Sequence, residues 1–498
     1  MSADRYSLQK AATFINQNKK YVNTFYKPVY HVSAEIGWMN DPNGFSFFNQ
    51  EYHLFFQYHP YSSKWGPIHW GHLKSKDLVK WEVLPIALAP DQPYDIDGCF
   101  SGSAIEDGGR HVLMYTGHTN PKPDDPSLIR QTVCIAIGDG VTYKKLDSNP
   151  VISAAHLPEG ASVQDFRDPK LWKKGGRYYA VVGNRASDGS GQILAFHSDN
   201  LVDWRYLGTV LRSNHTLGKM WECPDLFELD GKDVLLLSTQ FMERNGDFHQ
   251  NIHSAVYLTG SFDYETGRFE QRTVDQIDFG FDFYAPQTLI DDKGRRILIA
   301  WMQMWDRPIP TDVHGHGWAG MMTLPRVLRL ERDELYQEPI QEIEHYRRHH
   351  VHRHVIFSER YTDLMISGDQ IELQVAFKPL DASRFGIKVR KSGREETVMY
   401  YETAEERFYL DRTRSGHPIQ ASPTEADAVK RTVPVPLKNG ELSLRIFLDR
   451  SSLEIFINGG RRVMSSTIYP IIDGRAIEFF ADGKVEMSVD KWDLVVGD

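Results

Sequence analysis

Three acidic residues in the first half of the chain stand in short motifs of similar composition. Asp41 lies in NDPNG, Asp168 in RDPK and Glu222 in WECPD. Two carboxyl groups that flank one bond can cleave a glycosidic linkage, one ionised as nucleophile or base and the other protonated as acid. Each acid alone is more typical of a turn or of the surface. Three acids at one position of a repeat, each beside an aromatic residue or a proline, predict a shared pocket.

Asp41 and Asp168 have neighbours that favour the ionised carboxylate. Asn40 and the turn amides that follow Asp41 favour its charged form, because hydrogen bonds to the charged form stabilise that form. Pro42 disfavours the helical region for Asp41, so the chain should be extended there. Arg167 stands beside Asp168 and should keep it ionised, which suits the binding of sugar hydroxyls more than proton donation.

Glu222 has different surroundings in the sequence. It stands between Trp221 and the pair Cys223-Pro224, and an apolar setting raises the pKa of a carboxyl group and keeps its proton available. We therefore predict Glu222 as the proton donor. Asp225 lies three residues further on, and in an extended chain it should face away from Glu222.

The acidic motifs belong to an internal repeat of about 60 residues. Each unit has a polar or aromatic motif, an apolar run, a tight turn and a strongly apolar strand, and the units begin at Asn40, Phe100, Arg167, Glu222 and Tyr284. The first turns follow near Gln50, Gly108, Gly175, Gly231 and Gly294. Five such units predict an all-β fold with a five-bladed β-propeller, because a β-sandwich or a jelly roll has no reason for a five-fold period.

The propeller geometry should bring the motifs together. The first strand of each blade lines the central axis, and every motif occupies the same place in its unit, just before the first turn. The motifs should therefore converge at one end of the axial channel, although they are far apart in sequence. Asp41 would form one wall of the pocket at that end.

The pattern changes after about residue 340. Runs such as ELSLRIFLDRSSLEIFINGG alternate apolar and polar residues with a period of two, and an Asn-Gly-Gly turn stands at 458–460. This pattern indicates antiparallel hairpins and predicts a C-terminal β-sandwich. The predicted organisation is a helical segment at 1–30, the propeller at 31–340, a linker at 341–355 and the sandwich at 356–498. The basic run HYRRHHVHRH at 345–354 is interpreted as a solvated connector.

Composition limits the class of protein. The chain has 498 residues and a formal net charge of −10, with no basic stripe, which argues against nucleic acid or anionic membrane as a partner. Its 11 Trp, 23 Tyr and 26 Phe favour strands and suit the binding of sugars against ring faces. The three cysteines have no paired spacing, and no window resembles a signal peptide or a membrane span. We expect a cytoplasmic enzyme or binding protein.

Two stretches could suggest a metal. DIDG at 95–98 lacks the twelve-residue loop and closing glutamate of a calcium site, so we interpret it as a turn. His314 and His316 in HGHG have no third ligand in view, and a loop beside the pocket mouth is the favoured interpretation. The Cys223 thiol has no base partner in its motif and is expected to be a small packed side chain. We therefore predict no metal and no cofactor.

The motifs carry a specific resemblance. WMNDPNG, FQYHP, FSGSA, RDP, WECPD and YAPQT, in this order, resemble glycoside hydrolase family 32, the β-fructofuranosidase family. The resemblance runs from about Tyr30 to Arg326, and LDRSSLEIFING is similar to the C-terminal sandwich of that family. Within the family, the sequence is most similar to bacterial intracellular members that act on sucrose 6-phosphate or sucrose.

The resemblance implies a role for each matching residue. Asp41 would attack the anomeric carbon of a β-D-fructofuranosyl unit, and Glu222 would protonate the leaving oxygen and then activate water. Asp168 would bind fructose hydroxyls and stabilise the transition state, supported by Arg167. The other residues that the resemblance implies in substrate binding are Trp38, Asn40, Gln57, Trp65, Phe100, Ser101, Tyr284 and Trp301. The reaction would retain configuration through a covalent fructosyl-enzyme.

The expected function is hydrolysis of a small-molecule fructoside, namely sucrose, sucrose 6-phosphate or a short fructo-oligosaccharide. The alternatives are a fructosyltransferase with the same nucleophile and a sugar-binding propeller without catalysis. A phosphorylated substrate needs a basic side chain at the far end of the pocket. The basic residues in loops near the motifs are Lys64, Arg307, His314 and His316.

Overall fold

A computed structural model of the chain describes residues 6–422, 425 and 427–497. The first element is α1 (Leu8–Asn18), whose N-cap Ser7 accepts a hydrogen bond from the amide of Lys10. A second short helix is α2 (Pro310–Val313). Short 3₁₀ helices lie at Lys19–Tyr21, Pro126–Leu128, Ala154–His156 and Gln341–Tyr346. No helix in these described ranges is long and apolar enough to cross a membrane.

Five antiparallel sheets follow one another along the chain, each with its first strand innermost. Blade 1 contains β1 (Gly37–Phe48), β2 (Glu51–His59), β3 (His69–Ser75) and β4 (Trp81–Leu88). Blade 2 contains β5 (Gly98–Asp107), β6 (Arg110–Thr119), β7 (Arg130–Gly138) and β8 (Tyr143–Lys145). Blade 3 contains β9 (Ala161–Lys174), β10 (Arg177–Ala186), β11 (Gly191–Ser198) and β12 (Trp204–Arg212).

The last two blades close the ring. Blade 4 contains β13 (Met220–Leu229), β14 (Lys232–Gln240), β15 (Ser254–Phe262) and β16 (Phe269–Gln276). Blade 5 contains β17 (Tyr284–Ile290), β18 (Arg296–Trp301), β20 (Arg326–Glu331) and β21 (Glu334–Pro339), and the short β19 (Trp318–Ala319) pairs in parallel with β1. The inner strands β1, β5, β9, β13 and β17 neighbour one another around the axis. The predicted five-bladed propeller is therefore confirmed, and the predicted first turns lie between the two inner strands of each blade.

Every inner strand is interrupted by a β-bulge at its motif. The bulged residues are Asn40–Asp41, Ser101, Asp168–Pro169, Cys223–Pro224 and Ala285–Pro286. Asp168, Cys223 and Ala285 have φ of 65°, 47° and 50°, which is uncommon for residues other than glycine. A bulge bends its strand and re-aims a side chain, and proline is tolerated there because no ladder N–H is needed. The bulges therefore turn the side chains of the motifs toward one end of the propeller axis.

Ten strands form the C-terminal part of the fold. They are β22 (Arg347–Tyr361), β23 (Gln370–Pro379), β24 (Arg384–Lys391), β25 (Glu396–Glu402), β26 (Arg407–Arg414), β27 (Lys430–Pro434), β28 (Leu442–Asp449), β29 (Ser452–Ile457), β30 (Arg462–Thr467) and β31 (Ala476–Leu494). The long β31 pairs with β23 along its second half and with β24 along its first half. The strands that pair with the two halves of β31 therefore form two layers, and their apolar faces enclose one core, as predicted for a sandwich.

The prediction of a solvated connector at 345–354 is wrong, because most of this basic run belongs to a β-strand. After the 3₁₀ turn Gln341–Tyr346, β22 begins at Arg347 and pairs with β31. Most side chains of this strand are exposed, so polar residues are accommodated, while Val351 is buried in the core. The histidines face carboxylates of β31, for example His352 and Asp490 at 3.0 Å.

Buried charges join the propeller to the C-terminal sheet. His31 bonds to Asp449 at 3.1 Å and to Glu454 at 2.9 Å. Arg326 of β20 also bonds to Glu454 and, in the propeller, to Asp278 at 3.1 Å. These side chains are fully buried, so removing one partner would leave an uncompensated charge.

Candidate active site

A pocket of about 360 Å³ opens at the end of the axis where the motifs meet. Its walls come from all five blades. The described lining residues are Asn40, Asp41, Gln57, Trp65, Phe100, Ser101, His118, Ile129, Gln131, Gln164, Asp165, Arg167, Asp168, Glu222, Gln240 and Trp305. The three acids of the repeated motifs are thus together in one cavity, although they belong to three different sheets.

Asp41 is held in one orientation by two neutral donors. The hydroxyl of Ser101 donates to Oδ2 at 2.7 Å, and the amide of Asn40 donates to Oδ1 at 3.0 Å. Burial raises the pKa of Asp41, and the charge of Glu222 adds to this, while the hydrogen bonds from Ser101 and Asn40 oppose it. Asn40 thus favours the charged form, as expected, but burial has the larger effect, so the net shift of the pKa is upward.

Asp168 is buried and accepts a hydrogen bond from the amide of Cys223 at 3.0 Å. Burial raises its pKa to about 7, the charge of Arg167 opposes the shift, and the charges of Glu222 and Asp41 add to it. The expectation that Arg167 keeps Asp168 ionised is therefore wrong near neutral pH. The physical reason is that desolvation of the carboxylate outweighs one neighbouring guanidinium.

Glu222 lies in a polar setting, contrary to our expectation of an apolar one. Arg167 approaches Oε1 with Nε at 3.0 Å and Nη2 at 2.9 Å, and the hydroxyl of Tyr284 donates to Oε2 at 2.7 Å. Trp221, the apolar neighbour in sequence, is fully buried in the core of the blades, because successive side chains of a strand point to opposite faces.

The guanidinium of Arg167 thus lies among several carboxyl groups of the pocket and is bonded to Glu222 and Asp165. Neighbouring carboxylate charges add to the effect of burial at Asp41 and Asp168 and raise the pKa of both groups. A site that holds one ionised and one protonated carboxyl group can supply a nucleophile and an acid to the same bond.

Cys223 and Asp225 both follow Glu222 in sequence, but only Cys223 lies close to the acids of the pocket. The Sγ atom of Cys223 lies 3.7 Å from Asp41 Oδ2 and 3.6 Å from Asp168 Oδ2. Burial, with the nearby carboxylates, raises the pKa of this thiol well above its usual value, so it remains a neutral packed group. Asp225 faces away, as expected, and binds Lys170 at 2.9 Å.

Six of the other predicted substrate-binding residues line the pocket: Asn40, Gln57, Trp65, Phe100, Ser101 and Arg167. Trp38, Tyr284 and Trp301 do not line it and lie behind its wall. Trp38 donates from Nε1 to Asn40 at 2.7 Å, and its ring centroid is 5.9 Å from that of the fully buried Trp301. These aromatic residues therefore support the wall from behind.

Sequence reasoning missed seven lining residues: His118, Ile129, Gln131, Gln164, Asp165, Gln240 and Trp305. Apart from Gln164 and Asp165 of β9, they come from the second or third strands of their blades and from loops, outside the repeated motif. Gln131 accepts from Arg167 at 3.3 Å, and His118 stacks on Phe100 at 4.1 Å. For Trp305 one signal was available in the sequence, because it stands four residues after Trp301 in WMQMW. In the structure its ring stacks on that of Trp38.

The stretches weighed as metal sites have other partners. Asp95 of DIDG is fully buried and binds Lys145 at 2.6 Å. His314 packs on His417, and His316 stacks on Tyr26 at 5.2 Å. Among the residues with a described position, no three or more His, Cys, Asp or Glu side chains are arranged to hold a metal ion.

Comparison with known proteins gives consistent matches along the whole chain. The model of the glycosyl hydrolases family 32 N-terminal domain matches residues 31–339, and that of the family 32 C-terminal region matches 341–494. A sucrose-6-phosphate hydrolase of Zymomonas mobilis is 38% identical over 93% of this chain and 91% of its own length. A raffinose invertase of Escherichia coli is 38% identical over 92% of both chains. A Bombyx mori GH32 β-fructofuranosidase variant, solved in complex with sucrose, has a TM-score of 0.83 and 33% identity, covering 98% of this chain and 97% of the other.

Proposed function

The chain belongs to glycosyl hydrolase family 32 and is a glycosidase, and we propose that it releases terminal β-D-fructofuranosyl units from sucrose-type substrates with retention of configuration. The activities that give its relatives their names, sucrose-6-phosphate hydrolase and raffinose invertase, support this substrate class. The observation that carries the proposal is the meeting of Asp41, Asp168 and Glu222 in one pocket.

In this mechanism Asp41 is the nucleophile. Asn40 and Ser101 each bind one of its oxygens, so the carboxylate is oriented before the substrate arrives. Its attack on the anomeric carbon forms a new carbon–oxygen bond while the glycosidic bond breaks. The electron pair of the broken bond goes to the leaving oxygen, and a fructosyl ester of Asp41 remains.

Glu222 moves the protons of both steps. It first protonates the leaving oxygen, so that the rest of the substrate departs as a neutral alcohol. As a carboxylate it then takes a proton from water, which attacks the anomeric carbon and releases fructose from Asp41. Arg167 and Tyr284 hold the side chain in place between the two steps. Each displacement inverts the carbon, so the configuration is retained overall.

Asp168 binds fructosyl hydroxyl groups, and this binding affects the protonation state of its own carboxyl group. Burial favours its neutral form. Hydroxyl groups that donate to Asp168 favour the ionised form instead. Substrate binding would therefore favour the ionised form of Asp168, which accepts hydrogen bonds from the sugar.

Trapping of the ester tests the proposal. Glu222→Ala should form the fructosyl ester from a fructoside with a good leaving group but hydrolyse it slowly, because the base for the second step is missing. Mass spectrometry should then find one fructosyl unit on the peptide that contains Asp41. Asp41→Asn is the matched control and should carry none. An adduct on another residue, or direct release of inverted fructose, would disprove the mechanism.

A cytoplasmic location completes the proposal. All three cysteines lie in the described residues and are free, and two of them are buried, which suits a reducing compartment. Cell fractionation should recover the sucrose-cleaving activity with cytoplasmic markers. Recovery of the activity from the culture medium would contradict this location.

A further inference from the structure

Two tryptophans lie nearer to the opening of the pocket than the acids do. Asp41 and Asp168 are 9% and 6% exposed, whereas Trp65 is 49% exposed and Trp305 is partly exposed. All four residues line the same cavity. When the terminal fructosyl unit of a substrate reaches the buried acids, the leaving group therefore lies toward the opening. Partly exposed aromatic rings at that place suit the binding of a sugar.

The ring of Trp65 depends on its backbone for its position. It belongs to the loop between β2 and β3 and contacts the ring of Phe100 edge-on, with the centroids 6.0 Å apart. Because half of the residue is exposed, packing constrains this ring less than a buried one. Trp305 differs, since its ring packs on those of Trp38 and Trp301. The separation of Trp65 from Trp305 is therefore set by the loop that carries Trp65.

A hydrogen bond joins this loop to the last blade. The hydroxyl of Ser63, two residues before Trp65, donates to Oδ1 of Asp312 at 2.6 Å. Asp312 lies in α2, which follows the loop of Trp305 in blade 5. Blades 1 and 5 are the first and last of the propeller, so this bond connects them in addition to the pairing of β1 with β19. A hydroxyl that donates to a carboxylate forms a short, charge-assisted hydrogen bond.

Other contacts hold the rest of the loop. The ring of Tyr61 packs against that of Phe14 in α1, with the centroids 5.1 Å apart. Within the loop, Nδ1 of His59 donates to the backbone carbonyl of Lys64 at 2.8 Å. These contacts do not involve the hydroxyl of Ser63. Removal of that hydroxyl should therefore shift the loop relative to blade 5 without unfolding it.

We propose that Ser63 and Asp312 are positioning residues that set the separation of the two tryptophans and thereby shape the binding site for the leaving sugar. They act on the substrate only through the rings of Trp65 and Trp305. The inference rests on the proposed function and concerns the part of the substrate that departs. Because the rings contact the substrate away from the bond that breaks, their displacement should weaken the binding of substrate and transition state alike, which raises KM and leaves kcat nearly unchanged.

Substitution of Ser63 tests this role. Ser63→Ala removes the donor, and Ser63→Thr is the matched control that keeps a hydroxyl group. We expect Ser63→Ala to raise KM for sucrose by about threefold to tenfold, and Ser63→Thr to stay close to the wild type. On the other side of the bond, Asp312→Asn keeps an acceptor oxygen and should raise KM less than Asp312→Ala does.

A second substrate separates the opening of the pocket from its acids. Methyl β-D-fructofuranoside has the same fructosyl unit, but its leaving group is too small to contact both rings. Its kcat/KM should therefore be the same in Ser63→Ala and in the wild type. In a Trp65→Ala background, Ser63→Ala should cause no further rise in KM for sucrose, because the ring on which the hydroxyl acts is gone.

The contrary outcomes are distinct. An unchanged KM for sucrose in Ser63→Ala, or an equal rise in Ser63→Thr, would overturn the inference. An equal loss of kcat/KM on methyl β-D-fructofuranoside would assign the effect to the acids or to the fold and would also overturn it, as would additive effects of Ser63→Ala and Trp65→Ala. Fructose release by the wild type from neither substrate would instead overturn the proposed function.

Discussion

The backbone amide of Asp168 donates a 2.9 Å hydrogen bond to the hydroxyl of Thr116, a residue of the second strand in the neighbouring blade. The same hydroxyl donates to the carbonyl of Ser101 at 3.0 Å. The side chain of Ser101 in turn binds Asp41. Thr116, which is fully buried, therefore connects two of the three acids through one hydroxyl group. It is a positioning residue, since it acts on the pocket only through these partners.

Thr116→Val should reduce activity by misplacing Asp168. Valine has nearly the same shape but no acceptor, so the buried amide of Asp168 loses its partner at a cost of about 1–3 kcal/mol. We expect a lower Tm and a fall in kcat/KM on sucrose of the order of tenfold. Thr116→Ser keeps the hydroxyl and should restore the kinetics. If Thr116→Val lost stability but kept its kcat/KM, the hydroxyl would have only a structural role.

Asp168→Asn should stabilise the protein above neutral pH while it abolishes turnover. The pKa of Asp168 is about 7 in the folded state against 3.8 as the ordinary value, so the folded state keeps a proton that the unfolded chain releases. The free energy of unfolding of the wild type therefore falls as pH rises from about 4 to about 7. Asparagine cannot ionise and escapes this loss.

Thermal unfolding across this range is the measurement for Asp168→Asn. The Tm of the variant should exceed that of the wild type at pH 8 by an amount worth a few kcal/mol. The two values should converge near pH 4, where both side chains are neutral. Parallel curves at all pH values would show that the carboxyl group is not destabilised by burial.

The fold is readable from the sequence because four of the five inner strands carry the same local signal. A proline stands at the bulge of blades 1, 3, 4 and 5, at Pro42, Pro169, Pro224 and Pro286. Such signals depend only on adjacent residues, and their regular spacing predicts both the number of blades and the place where the motifs meet.

The protonation states are not readable in the same way, because they depend on contacts between blades. Arg167 adjoins Asp168 in sequence, yet its guanidinium bonds to Glu222 of the next blade. Trp221 adjoins Glu222 but points into the core. Lining residues such as Trp305 lie outside the repeated motif, so no periodicity marks them.

Glu222→Gln should impair poor leaving groups far more than good ones. Sucrose needs a proton on its departing oxygen, so loss of the acid should lower its kcat/KM by roughly 10²–10⁴-fold. An aryl fructoside with an acidic phenol needs little protonation and should lose much less in the first step. Single-turnover kinetics on both substrates measure this difference. Asp41→Asn is the control and should lose both activities alike; an equal loss in Glu222→Gln would remove Glu222 as the proton donor.

His31 should make the joint between propeller and C-terminal sheet sensitive to alkaline pH. Although burial opposes its charge, hydrogen bonds to Asp449 and Glu454 raise its pKa from 6.5 to about 9. Its contribution to the free energy of unfolding is therefore complete below pH 6.5 and is lost as pH rises through about 9. At about 1.36 kcal/mol per pKa unit, this contribution is roughly 3 kcal/mol.

The comparison with His31→Gln isolates this histidine, because every other titrating group is common to both proteins. Denaturant titrations should find the wild type more stable than the variant at pH 6, since glutamine pairs with the two carboxylates only as a neutral donor. The difference should shrink between pH 6.5 and 9 and be small above that range. A difference that stayed constant with pH would mean that His31 is neutral in the folded protein, and Arg326 would then be the cation that pairs with Glu454 at the joint.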